Sequence, residues 1–297
     1  MRRLFLELVP ELPVGTEAGF RHWFASHPPR AQFRGVVAEE SGEVVGWAQA
    51  FFDWHTSEEA AGRAWVGVFP SHRGRGVGRA LAAEADAHLA AIGARSVESF
   101  ARKGSEGEAF AEQRGFVQCR LEIFSSVDPR EVEQGALEPL EARLAGEGLR
   151  LAALSELRDR PEALHDLDVA VGSDVPGEED IELRYDEWMV GTFAAPDLSW
   201  EGSTVVFDRE RPIAFCLLQV VADERRAEND FTATRPEYRG RGLARLVKLA
   251  SLRWCADNGI ERVYTGNDET NAPMRAVNRR LGYRETMRRA WLGKSLV

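Results

Sequence analysis

The chain has 297 residues, 44% of them hydrophobic and 29% charged, with a formal net charge of −10. That balance suits a globular fold with room for two domains of about 150 residues each. The acidic excess argues against a nucleic-acid binder, and no apolar run approaches the ~20 residues that span a bilayer.

The N-terminus opens with Met1-Arg2-Arg3-Leu4-Phe5-Leu6. Glu7, Pro10, Glu11 and Pro13 then break the apolar stretch, which does not suit a signal peptide. Residues 34–38 and 44–52 read as two strands around a turn at Ser41-Gly42. A short apolar run, Val66-Gly67-Val68-Phe69-Pro70, leads to Arg73-Gly74-Arg75-Gly76 and a helical pattern over 77–91. Gly93 closes that helix, because glycine accepts the left-handed backbone of a helix C-terminus. A strand pattern over 95–100 and the pair Gly115-Phe116 follow.

Residues 128–148 are charged and helical in pattern, and are expected to bridge two halves. Beyond them the series repeats. Strand patterns at 203–207 and 213–221 precede Phe231-Thr232-Ala233-Thr234-Arg235-Pro236. Then come Arg239-Gly240-Arg241-Gly242, a helix over 243–256, Gly259, a strand at 262–265 and Gly282-Tyr283. The second glycine loop starts 166 residues after the first, and Gly259 follows Gly93 by the same interval. A constant offset over some 40 residues reads as tandem duplication. Each half is expected to run strand, helices, three strands, glycine loop, helix, strand, helix, strand. The fold class is α/β with a mixed sheet, in domains 1–128 and 149–297 joined by 129–148.

A glycine-rich turn from strand into helix presents bare N–H groups at the positive end of the helix dipole, which suits a phosphate or diphosphate. The alternative is that the glycines only make a tight turn. Cys119, Cys216 and Cys255 form no CxxC pair, and the six histidines lack metal-ligand spacing. A metal-free, reduced, cytoplasmic protein is expected. Its basic charge is almost all arginine, with lysine only at 103, 248 and 294.

The loops Arg73-Gly74-Arg75-Gly76-Val77-Gly78 and Arg239-Gly240-Arg241-Gly242-Leu243-Ala244 resemble motif A of the GCN5-related N-acetyltransferases. Asn271, Met274, Asn278, Gly282 and Tyr283 resemble that family's second signature. The resemblance covers nearly the whole chain as two copies, and is similar to the tandem type that includes mycothiol synthase-like and antibiotic acetyltransferases. It implies two acyl-CoA N-acyltransferase domains and acetyl-CoA as co-substrate. Both loops, the strand positions Val66 and Val68, and the strand 231–234 would hold the coenzyme, with Asn267, Asn271 and Asn278 beside it. The acceptor would be a small-molecule amine, with no nucleic acid, membrane or metal involved, on a monomer or homodimer.

The resemblance also places a general base six residues before Thr234, at Glu228, whose counterpart in the first half is Gly62. Asp230 would share its face of the strand by the two-residue period, and paired carboxylates raise one another's pKa. The alternative is that both are solvated turn residues. The tyrosine that serves as acid in the family is replaced by Asn278 and by Ala111. Tyr264, Tyr238 or a water would then take that role, and the C-terminal half is the expected catalytic one. Without these groups the first half reads as catalytically degenerate. A non-catalytic acyl-CoA sensor and a protein N-acetyltransferase stand as rival readings. The acidic stretch 172–180 is a candidate cover for the acceptor cleft.

Overall fold

The computed structural model describes residues 1–172 and 182–296. The acidic stretch lies outside these residues from Ser173 onward. The first half opens on helices α1 (Arg2–Leu8) and α2 (Glu17–Ala25), then strands β1 (Arg34–Glu40), β2 (Glu43–Phe52) and β3 (Ala61–Val68). It continues with α3 (Val77–Ile92), β4 (Ser96–Arg102), α4 (Glu106–Glu112) and β5 (Val117–Val127). Helix α5 (Leu137–Gly146) occupies the expected bridge. The second half runs β6 (Leu149–Ala153), α6 (Pro161–Gly172), α7 (Tyr185–Trp188), β7 (Thr204–Asp208), β8 (Arg211–Val221) and β9 (Arg226–Thr234). It closes with α8 (Leu243–Asp257), β10 (Arg262–Asp268), α9 (Ala272–Arg280) and β11 (Arg284–Ser295). The expected element order holds in the second half. The first half lacks the opening strand, and its N-terminal apolar residues form α1 instead.

The described strands make one sheet in the order β1-β2-β3-β4-β11-β5-β10-β9-β8-β7-β6. The last strands are exchanged. β11 lies between β4 and β5, and β5 pairs with β10 of the second half. The halves are therefore not two separately closed domains.

Local chemistry explains the elements that carry the site. β8 is an almost unbroken apolar run, as a strand covered on both faces must be. On one face lies α8, which buries Leu243, Leu246, Val247, Leu249, Leu252 and Cys255 at helical spacing. Leu154, Leu164, Leu167 and Trp188 pack with Phe215 and Leu217 of the same strand on the other face. In the first half Leu4, Phe5 and Leu8 of α1 pack with Trp47 and Trp65, while Ala85 and Leu89 of α3 meet Ala50 and Val97 opposite. α9 starts at an Asn271 cap, whose Oδ1 accepts from Met274 N at 3.2 Å, with Pro273 in the first turn.

Candidate active site

In each half the strand before the glycine loop and the strand after the following helix run parallel for only three residue pairs. β3 pairs with β4 from Ala61↔Ser96 to Arg63↔Glu98, and β9 with β10 from Arg226↔Arg262 to Glu228↔Tyr264. Beyond those pairs the strands splay and leave a gap through the sheet. A cavity of about 1470 Å³ joins the two gaps. Its floor between them is one face of the central strands: Phe100 of β4, Arg289 and Trp291 of β11, and Arg120, Glu122 and Phe124 of β5. β4 and β10 are three strand spacings apart in the sheet, so the gaps lie about 14 Å from one another. The tail of α1 lines the same space with Leu8, Val9, Leu12, Pro13, Val14 and Gly15. We refer to this middle region as the chamber.

The two gaps differ in what fills them. The first runs outward past Gly78, Ala82, Ala85, Ala101 and Ala111 to the loop residues Arg73, Gly74 and Gly76, all in the cavity wall. Gly74 and Gly76 have φ of +72° and +87°, where side chains are strained, and a Cβ on either would meet nothing within 4 Å. No side chain caps the N-terminus of α3, and its first turn carries no carboxylate. This is an open cradle of N–H groups at a helix start.

In the second half the equivalent small residues are larger. Lys248 stands for Ala82, Asn267 for Ala101 and Asn278 for Ala111. Lys248 is only 1% exposed, and Asn278 Nδ2 donates to Asn267 Oδ1 at 2.6 Å. No residue of the loop 239–244 reaches the cavity wall. Helix α5 packs behind this loop instead. Arg143 Nη2 donates to Arg241 O at 2.6 Å, and Arg241 also pairs with Glu147.

The charges gather at the second gap. Glu228 and Asp230 are in the cavity wall with Glu122 nearby. Glu122 Oε2 accepts from Arg289 Nε and Nη2, at 2.9 and 2.6 Å, and from Trp291 Nε1 at 3.1 Å. Its charge is thereby matched. Among the described residues no cation is bonded to Glu228, and its carboxyl is pushed up to about 8, by enclosure first and by the Asp230 carboxylate second. The side chain stays half-buried and faces the chamber, so a proton can still reach it. Asp230 is likewise raised, by enclosure, with Gln219 Nε2 donating to its Oδ2 at 2.9 Å as the counter-effect. Lys248, below them, is pushed down to about 8 by burial.

A family model described as the acetyltransferase (GNAT) family matches residues 2–116 and 163–283. The chain belongs to the GNAT family. It is 30% identical over 254 residues to the mycothiol acetyltransferase of Nocardia farcinica, covering 80% of this chain and 76% of that one. A tandem GNAT protein from the clavulanic acid biosynthesis pathway has the same fold, with TM-score 0.70 at 19% identity over 99% of this chain and 94% of that one. A GCN5-related N-acetyltransferase from Sphaerobacter thermophilus is similar, with TM-score 0.66 at 18% identity over 99% of this chain and 91% of that one. The reaction general to the family is transfer of an acyl group from coenzyme A to an amine, and the two GNAT-like halves account for the doubled motifs. No helix among the described residues is long and apolar enough to cross a membrane.

Within this GNAT fold the sequence-predicted residues separate. Glu228, Asp230, Phe231 and Thr232 line the chamber, as do Asn267 and Asn271. The two carboxylates share the chamber side although the strand is irregular between them. The register slips between Leu217 and Leu218, which face Phe231 and Asn229, so Asp230 is the extra residue of a β-bulge. The bulge leaves Asn229 pointing inward, where its Nδ2 donates to Cys216 Sγ at 3.2 Å and its Oδ1 accepts from Tyr283. Val66, Val68, Arg73, Gly74, Gly76 and Gly78 line the first gap, whereas Arg75 pairs with Glu40 and Val77 packs against β2 and β3.

Other expected positions are not brought to the cavity. Tyr264 is covered by Leu12 with Phe124 and Met287, and opens onto a separate depression beside Arg226 and Arg262. Burial raises its hydroxyl, and the residue is not part of the chamber wall. Tyr238 donates to Asp208 Oδ2 at 2.6 Å, away from the chamber. Ala233, Thr234, Arg239, Gly240, Arg241, Gly242, Leu243, Ala244 and Asn278 also lie outside the cavity wall, with Ala233 and Leu243 in the core. The first arginine of each loop ties back to its own strand. Arg73 Nε donates to Val68 O at 3.3 Å and Arg239 Nε to Thr234 O at 3.2 Å. Sequence reasoning missed Glu122, Arg289, Trp291 and Lys248. Only Lys248 had a local signal, as one of three lysines in an arginine-rich chain.

Proposed function

We propose that the chain acetylates the amine of a small molecule held in the chamber, with the donor in the first gap and Glu228 of the second half receiving the amine's proton. The observation that carries this reading is the continuous cavity from the open first loop to the carboxylates. It departs from the expectation that the second half holds the donor.

Acetyl-CoA supplies the acetyl group as a thioester. The residues of the first gap suit it: N–H groups at the start of α3 for the diphosphate, and a floor of Gly78, Ala82, Ala85 and Ala111 that leaves room for a narrow chain. Splayed strand edges offer backbone partners for its amides, as in strand addition. The first half has no carboxylate at the position matching Glu228, which is Gly62. A side chain at Gly62 would meet Leu89 Cδ2 at 2.8 Å and Ser96 O at 3.1 Å. An alkylammonium has a pKa near 10 and must shed a proton before its nitrogen can attack. Asp230 and Glu228 give the far side of the chamber its negative charge, and Glu228, raised to about 8, is matched to take the proton through the waters of the chamber. A second reading keeps the donor in the second gap, and is favoured by Glu228 standing in that gap's own wall.

The test is an acetyl-CoA assay over a panel of primary amines, following thiol release and product mass. Ala82→Leu fills the first gap and should remove most turnover, and Glu228→Gln should lower kcat/KM by about 10²–10⁴-fold. Full activity in Ala82→Leu would move the donor to the second gap. No transfer to any amine, with coenzyme still bound, would favour a sensor.

A further inference from the structure

The proposed reaction leaves one group to be accounted for, the sulfur that departs from the acetyl carbon. Ala111 stands where the family resemblance puts a tyrosine, and Tyr264 and Tyr238 lie outside the cavity wall. One hydroxyl stands at the inner end of the first gap. β3 and β4 part after Arg63↔Glu98, and the next residues, Ala64 and Ser99, are the first of each strand in the cavity wall. Ser99 is half-buried, and its hydroxyl makes no hydrogen bond among the described residues. By the two-residue period Ser99 shares a face of β4 with Val97, which packs with Ala85 and Leu89 of α3. The hydroxyl is therefore on the side of the sheet where α3 and its glycine loop lie. Phe100, the next residue, faces α1 and the chamber.

The matching place in the second half is closed. Thr265 stands for Ser99, and its hydroxyl donates to Asn229 O at 3.1 Å, across the parted strands. Thr265 is 3% exposed. The first vertex keeps a hydroxyl at the same point and leaves it free to bond a ligand.

We infer that Ser99 donates a hydrogen bond to the sulfur of the thioester as that sulfur leaves. This inference rests on the first gap as the donor site. A carrier arm laid along the gap from the loop cannot pass the vertex, because the strands are paired beyond it. Its reactive end stops beside Ser99, where an amine in the chamber meets it from the Phe100 side. The nitrogen's lone pair forms the bond to the carbonyl carbon, and the carbon–sulfur pair leaves on sulfur. The nitrogen's proton passes through the chamber's waters to Glu228, and the thiolate later takes a proton from water. Ser99 keeps its own proton throughout. An alkyl thiol has a pKa of about 8.5, so it can leave as the anion. A hydrogen bond to an anion is stronger than one to a neutral acceptor, so this contact tightens as charge reaches the sulfur.

The experiment compares wild type with Ser99→Ala and Ser99→Thr, the second keeping the hydroxyl as Thr265 does. In the acetyl-CoA assay Ser99→Ala should lower kcat by about 10–10²-fold, with KM for acetyl-CoA changed less than about threefold, and Ser99→Thr should recover most of the loss. A second measurement needs no acceptor. The ultraviolet absorbance of the thiolate, followed against pH, gives the pKa of protein-bound CoA. That pKa should lie about one unit higher in Ser99→Ala than in wild type. Equal thiol pKa values in the two proteins, or full kcat in Ser99→Ala, would overturn the inference. Ala82→Leu separates the two readings. If it loses CoA while Ser99→Ala behaves as wild type, only the role of Ser99 falls. If CoA binding survives in Ala82→Leu, the donor site falls and the role of Ser99 with it.

Discussion

In the proposed reaction Glu228 has two opposed roles. Enclosure beside Asp230 raises its carboxyl, which would suit it to act as base but makes it an awkward charge for the fold. The rate on a fixed amine should therefore climb as pH rises toward about 8 and Glu228 loses its proton. Glu228→Gln should lack that limb, and a pH–rate profile of the two proteins checks it. The stability effect has the opposite sign. The folded chain keeps the Glu228 proton up to about pH 8, while the unfolded chain releases it near 4.5. The folded state binds the proton more tightly between those values, so stability from this group falls as pH rises through the window. Glu228→Gln should accordingly melt a few degrees above wild type at pH 9 and close to it at pH 5. The place of Glu228 in the cavity wall was legible from the family's count back from the glycine loop, and that of Asp230 from the two-residue period of a strand. Glu122 and Arg289 were not, since their pairing joins positions 167 residues apart.

At the scale of elements, the loops look alike and their surroundings do not. Both glycine pairs have positive φ and open a long helix. The duplication was legible because turn and cap chemistry is local. What stands behind each loop was not, because it depends on the volume of residues a helix turn away and on where α5 docks. Ala82→Leu should weaken coenzyme binding by at least about tenfold while leaving the melting temperature within a few degrees. Arg143→Ala, which removes the α5 contact to the second loop, should change coenzyme affinity less than about twofold. Equilibrium titration of the two variants separates these outcomes. The position of Tyr264 outside the cavity wall was hidden for a related reason. Tyr264 has the right strand and the right face, but Leu12 from the α1 tail covers it.

Across the whole molecule, the exchange of β5 and β11 makes the chamber. Its floor takes Phe100 and Glu122 from the first half, and Trp291 from the last strand of the second, which lies between them. The repeat in the sequence implies that each final strand closes its own half, and nothing in the composition of 117–127 or 284–295 says otherwise. Pairing choice among strands of similar pattern is decided by long-range packing. The protein should therefore unfold in one calorimetric transition. A chain ending at residue 283 should lose the first half as well as the second, since β4 and β5 would both face a missing neighbour. Two separate transitions, or a stable first half in that truncation, would argue against the exchange.

The account turns on which gap receives the thioester carrier. Titration calorimetry of coenzyme A into the wild type and Ala82→Leu addresses it directly. One molecule bound per chain, lost in Ala82→Leu, is the expected result. Binding that survives that substitution unchanged would contradict the first gap as the donor site.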